Sequence, residues 1–150
     1  MATNQKVFDP TYDLNQKAGD ELETAFANQG VSSPETRIWQ GAVPQDYDIG
    51  FPRTIFNTTL QRAPEFSNKE SRSVRVDVEP RIYDTDQKRL LELKVRVVER
   101  LTDRQHFPVP AGWNLIWQDL QNDIPQHDRS ANNPDIYGRV VTVSYYMNRS

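Results

Sequence analysis

Residues 72–101 read RSVRVDVEPRIYDTDQKRLLELKVRVVERL, and the fold turns on what the second half of this stretch forms. In the first half Val74, Val76, Val78 and Ile82 share one face of a strand. In the second half Leu91, Leu93, Val95 and Val97 alternate in the same way. The two runs predict an antiparallel hairpin. Its register follows from charge, because the apolar faces must coincide. One register places Asp77 opposite Arg96, Glu79 opposite Lys94, Arg81 opposite Glu92 and Asp84 opposite Arg89. It also sets Val76 against Val97 and Val78 against Val95. Its neighbour places Arg75 opposite Arg96 and Glu79 opposite Glu92. Cross-strand pairs contribute about 0.2–1 kcal/mol each and like charges oppose pairing, so the first register is favoured. The turn then falls at Thr85–Lys88. Asp86-Gln87 lacks the glycine of a tight two-residue turn, which predicts a four-residue loop. Pro80 removes a ladder donor and predicts an edge strand or a bulge.

Upstream, residues 1–8 form a polar arm, and Asp9-Pro10 has the form of an N-cap followed by proline at the first helical position. Leu14, Ala18, Leu22, Ala25 and Phe26 recur at helical spacing and predict a helix over 11–28, with Gly30 as its stop. Gly19 weakens that helix by up to ~1 kcal/mol relative to alanine. Thr36 to Trp39 predict a short strand ending at Gly41, and Phe56, Thr58 and Leu60 alternate in a second one.

Downstream, residues 102–112 form a proline-rich loop. Trp113, Ile116, Trp117, Leu120 and Ile124 then suggest a short helix over 111–122 that packs both tryptophans on the sheet, with Pro125 ending it. Val141, Val143, Tyr145 and Met147 make the last strand and place a continuous stripe in the core. The expected class is α+β: an antiparallel sheet with a long hairpin, packed by an N-terminal helix and a second short helix, in one domain over 1–150.

Composition narrows the function. The chain of 150 residues has a net charge of −3 and no cysteine. An acidic balance argues against nonspecific nucleic-acid binding as the main task, since phosphate neutralisation needs excess Lys and Arg. Without cysteine there is no disulfide framework or thiolate chemistry, which fits a reducing compartment. The N-terminus MATNQKVFDP lacks the apolar run of a signal peptide, and no segment approaches the ~18 apolar residues of a membrane span. Asn57-Thr-Thr and Asn148-Arg-Ser match a glycosylation sequon, as short motifs do by chance.

Chemistry-bearing motifs are few. The two histidines, His106 and His127, lie in loops and read as surface residues. No metalloprotease, phosphate-loop or nucleophile-elbow pattern occurs. Asp84 and Asp86 sit in DTDQKR, which lacks the glycine and terminal glutamate of a calcium loop, so turn chemistry explains them. Neither a catalytic residue, a cofactor nor a metal site is expected. Aromatic and arginine side chains instead suggest contact surfaces: Phe51 and Arg53 around Pro52, Phe66 in a loop, and Tyr146 on the outer face of the last strand beside the basic end at Arg149.

The order of elements and several short anchors resemble the tail terminator proteins of long-tailed bacteriophages, the minor tail protein U type, within the wider group of neck and tail-completion proteins. The anchors are RIWQG ending at Gly41, DIGFPRTIF with Asp48, Phe51 and Pro52, the long hairpin, DIP at Asp123–Pro125 and the aromatic strand RVVTVSYYM. They span most of residues 10–148. The helix after the hairpin is shorter here, and the loop 102–112 departs from the pattern. The resemblance implies a structural protein of the virion, assembled in the host cytoplasm. It implies a homo-oligomeric ring, typically hexameric, that ends the tail tube and joins it to neck or connector proteins. DNA would pass through the lumen without specific binding, with no membrane and no cofactor. Asp84, Lys88 and Arg89 at the hairpin tip, with the loop residues above, are then candidate subunit contacts. The alternative is a small monomeric adaptor whose hairpin recognises a protein; a small hydrolase would need converging carboxylates or histidines.

Overall fold

A computed structural model describes residues 10–42, 50–61, 73–103, 111–126 and 136–149. Helix α1 covers Thr11–Asn28, a 3-10 turn covers Pro34–Arg37, and strands β1 (Ile38–Gln40), β2 (Arg53–Gln61) and β3 (Ser73–Asp84) follow. Helix α2 covers Gln87–Thr102, and β4 (Trp113–Pro125) and β5 (Tyr137–Arg149) complete the chain. The five strands form one sheet in the order β1-β2-β3-β5-β4, antiparallel except for the β1–β2 pair. The class is the expected one, α+β with two helices packed on a mostly antiparallel sheet.

Two segments have exchanged roles relative to expectation. Residues 87–102 are a helix rather than the second arm of a hairpin with β3. Leu90, Leu93, Val97 and Leu101 repeat at helical spacing and are at most 1% exposed, whereas Leu91 and Val95, which the strand pattern would have buried, are 41% and 47% exposed. Leu, Glu, Arg and Lys are good helix formers, and Asp86 begins the helix as its N-cap, accepting a hydrogen bond from the Arg89 amide at 3.2 Å. The predicted Asp84–Arg89 pair does form, but across this β3–α2 turn rather than across a ladder. The remaining pairs of the predicted register do not. Asp77, Glu79 and Arg81 lie in β3, which pairs with β2 and β5.

The second exchange is at residues 113–125, a strand rather than a helix over 111–122. Its register against β5 slips twice, between Leu115 and Trp117 and between Leu120 and Asn122. Each slip inserts an extra residue, Ile116 and then Gln121, and resets the alternation. The apolar residues therefore fall at spacings that imitate a helix. Trp113 is buried as expected, but Trp117 is 56% exposed. The long hairpin of the fold is β4–β5, and Pro125 closes β4.

Other expectations hold. The helix over 11–28 and the strand through Phe56 are present; the short strand expected from Thr36 to Trp39 instead covers Ile38–Gln40, since Thr36 lies in the 3-10 turn, and it ends before Gly41. Gly30 follows α1 at φ +86°, in the left-handed region where glycine carries no penalty, and its amide caps Ala27 O at 3.0 Å. Asp9, before the helix, lies outside the described residues; the N-cap position itself is Pro10. Pro80 is not on an edge. It sits in the central strand β3 opposite Phe56, at a place where the β3–β5 pairing is interrupted at Glu79 and Pro80.

The core lies between the helices and one face of the sheet. Leu14, Ala18, Leu22 and Phe26 from α1, and Leu93 and Val97 from α2, meet Val76, Val78, Ile82, Val141, Val143, Tyr145 and Met147, all 0% exposed. Full burial of a large aliphatic or aromatic side chain contributes roughly 1.5–3 kcal/mol relative to exposure. The last strand is thus an interior strand of the sheet, between β3 and β4. Burial, with a smaller effect from the Glu21 carboxylate, pushes the Tyr145 phenol well above its usual pKa, and its hydroxyl donates to Leu101 O. Gly138 lets β5 pass close to Gln126 and Tyr83; a side chain there would collide with the Gln126 carbonyl oxygen.

Candidate assembly surface

Among the described residues, both helices pack on one face of the sheet. On the opposite face Arg75 of β3 makes a two-point contact with Asp77, at 3.0 Å for each nitrogen, and Ser144 of β5 donates to the same carboxylate at 2.6 Å. The hydrogen bond to Asp77 raises the Arg75 pKa above its ordinary value despite the opposing effect of burial. The Arg75 guanidinium also lies over the Tyr146 ring, 5.8 Å from its centre. Tyr146 is the β5 partner of both Arg75 and Trp117, so Arg75, Tyr146 and Trp117 form a row across three strands. Ile124, Val140 and Arg81 form a parallel row. Arg, Tyr and Trp in such rows present flat, partly apolar surface suited to protein contact.

Helix α2 is fixed above the β4 side of the sheet by polar contacts on its flank. Lys94 Nζ reaches Asp123 at 2.9 Å, and Arg139 Nε reaches the same carboxylate at 2.6 Å. Burial pushes the Asp123 carboxyl up, but the hydrogen bonds from Lys94 and Arg139 outweigh it and hold the group below the usual carboxylate range. Gln118 of β4 donates to Thr102 O at the end of α2. On its other flank α2 meets α1 through Arg100–Glu21 at 2.6 Å and through Gln29, which bonds both Glu92 and Arg96. Leu91 and Val95 fall on the outward side of α2, beyond the Lys94–Thr102 flank.

The β4 edge is therefore unusually apolar. Ile116, Trp117, Leu120 and Ile124 are 53%, 56%, 38% and 52% exposed, with Trp117 and Ile124 on the face away from the helices, and Leu91 and Val95 are exposed on α2. Edge strands are ordinarily short, charged or covered. This one runs for 13 residues and carries two bulges, and among the described residues no strand lies beyond it. The exposed stripe was hidden from sequence reasoning because helical spacing assigned these residues to the core. The signal that finds it is the pairing of a long apolar run with an edge position.

The residues singled out from sequence fall at two ends of the sheet. Arg53 pairs with Tyr83, so Phe51 and Arg53 share one end with Asp84, Lys88 and Arg89. There the Arg53 guanidinium stacks 4.5 Å from the Phe51 ring centre, and Arg37 donates to Phe51 O at 2.8 Å. Asp84 is fully buried and bound at two points by Arg89, at 2.6 and 2.7 Å, so this pair builds the turn into α2. Lys88 is exposed on the first turn of α2. Tyr146 and Arg149 are at the other end; Tyr146 adjoins Trp117, and Arg149 pairs with Trp113 through the ladder. Phe66 and both histidines lie outside the described residues. Among the described residues no group of three or more His, Cys, Asp or Glu side chains could hold a metal, and no helix is long and apolar enough to cross a membrane.

No known family profile and no curated protein matches the sequence. Among solved structures, the chain shares its fold with one from the "Virion of native gene transfer agent (GTA) particle". The identity is 13%, the TM-score is 0.53, and the match covers 86% of this chain and 96% of the other.

Proposed function

We propose that this protein is a structural component of a phage-like virion, of the tail terminator or neck type, acting by assembly rather than catalysis. The observation that carries the reading is a shared fold running over nearly the whole length of a gene transfer agent virion chain. Two further features support it. The order of elements and anchors resembles the minor tail protein U type. The molecule also keeps a large apolar edge in solvent that a monomer has no use for. In this role copies form a ring, typically of six, at the head-proximal end of the tail. The ring ends the tube and joins it to neck or connector proteins. Passing DNA makes no specific contact, and the net charge of −3 disfavours adhesion of polyphosphate.

The test is removal of the chain from a particle-producing cell. The expected result is heads without joined tails, and tail tubes of uncontrolled length. Normal joined particles lacking the chain would overturn the reading. They would leave the adaptor alternative, in which a monomer uses the same edge to hold another protein.

A further inference from the structure

The eight large hydrophobic side chains exposed among the described residues fall in two groups, six on β4 and α2 and two on α1 and β2. Leu91, Val95, Ile116, Trp117, Leu120 and Ile124 are on the β4–α2 edge. The other two, Tyr12 at 57% and Leu60 at 36%, are on the far edge. Their proximity follows from how α1 lies on β2. Thr58 Oγ1 donates to Asn15 Oδ1 at 2.8 Å, and Gly19 packs over the Phe56 ring, so the chain of α1 runs back along β2. Residue 12 is then carried towards Leu60, on the flank of α1 away from α2. β1 pairs only with Thr54–Phe56, so among the described residues the outer edge of β2 from Asn57 to Leu60 has no strand beside it.

We propose that the β4–α2 edge of one copy docks on the α1–β2 edge of the next, a head-to-tail contact that repeats around the assembly. This rests on the structural role above and names the surface that would build it. Two unlike patches at opposite ends of one sheet are the requirement for a heterologous contact, which closes into a ring where the rotation allows. At roughly 150–250 Å² for a large side chain, the six exposures on the β4–α2 side amount to about 500 Å² of apolar surface, and Tyr12 with Leu60 to about 200 Å². A standard interface uses about 800 Å² per partner, of which roughly 56–65% is apolar, so polar contacts complete the α1–β2 side. Charge agrees as well. Lys88 continues the Leu91–Val95 stripe of α2, and exposed Glu23 continues the Tyr12 flank of α1.

The experiment uses two full-length variants, each with one edge blocked: Trp117→Asp with Ile124→Lys, and Tyr12→Asp with Leu60→Lys. Light-scattering mass is measured after size exclusion, and circular dichroism checks that each variant keeps the wild-type fold. The expected result is wild type larger than a dimer, each variant alone a monomer, and their equimolar mixture a dimer that grows no further. Each variant retains the one edge that the other lacks. Three results would overturn the proposal: wild type monomeric up to millimolar concentration, a blocked variant assembling as wild type does, or a mixture that stays monomeric. A Tyr12/Leu60 variant that still dimerises would show the apolar edge packing on itself. Failure here leaves the virion role standing if particles still require the chain. Edge-to-edge assembly by a chain that particles do not require would remove the virion role and leave the contact.

Discussion

Strands β4 and β5 are paired along most of their length, yet one makes the fold and the other makes a surface. β5 alternates without a slip against β3, and its odd-numbered residues from Val141 to Met147 are wholly buried. β4 slips twice against β5, spreads its apolar residues over both faces and the bulges, and leaves four of them in solvent. The difference is one of position. A central strand is specified on both sides by neighbours and on one face by helices, so any break in its alternation places polar groups in the core. An edge strand tolerates bulges because one side meets no ladder. What its side chains then do is decided by partners outside the subunit.

Substitutions can break or sharpen that contrast. The largest effect is expected in β5. Tyr145→Ala empties a fully buried site and removes the hydrogen bond to Leu101 O, lowering stability by about 3–5 kcal/mol in chemical denaturation.

A smaller effect is expected where the two strands are tied to α2. Asp123→Asn strips a carboxylate from Lys94 and Arg139 and should cost about 1–2 kcal/mol. The folded pKa of Asp123 lies below its unfolded value. Its contribution is therefore complete above the ordinary carboxylate range and is lost as pH falls through the lowered folded value. Acid titration of stability should show this limb in wild type and lack it in the variant.

The smallest effect belongs to the β4 surface. Trp117→Asp should change stability by no more than ~0.5 kcal/mol, because the side chain is already more than half exposed. A loss as large as that of Tyr145→Ala would mean that β4 serves the core after all.

How much of this was legible in the sequence varies with how each segment is constrained. α1 and β5 were readable because a single period runs through each and the buried residues obey it. Residues 87–102 satisfied two periods at once. Leu93 and Val97 belong to the alternating set and to the helical set alike, so only Leu91 and Val95 against Leu90 and Leu101 distinguish them. Asp86 as N-cap was the local signal that decides for helix. In β4 the bulges at Ile116 and Gln121 shift the phase, and no local rule places a bulge. The candidate contacts differ in exposure. Tyr146 was placed on the outer face and does lie there beside Trp117, whereas Asp84 and Arg89 close a turn around a buried carboxylate. Trp117 was missed because a tryptophan at helical spacing reads as core.

Solvent access to Trp117 as the protein concentrates tests the account most directly. Acrylamide quenching of tryptophan fluorescence, compared between wild type and Trp117→Phe, isolates this ring from Trp39 and Trp113. The account predicts a ring open to quencher in dilute protein and shielded as copies associate, with the Trp117→Phe variant lacking the change. A Trp117 ring that stays equally accessible in the assembled protein would contradict it.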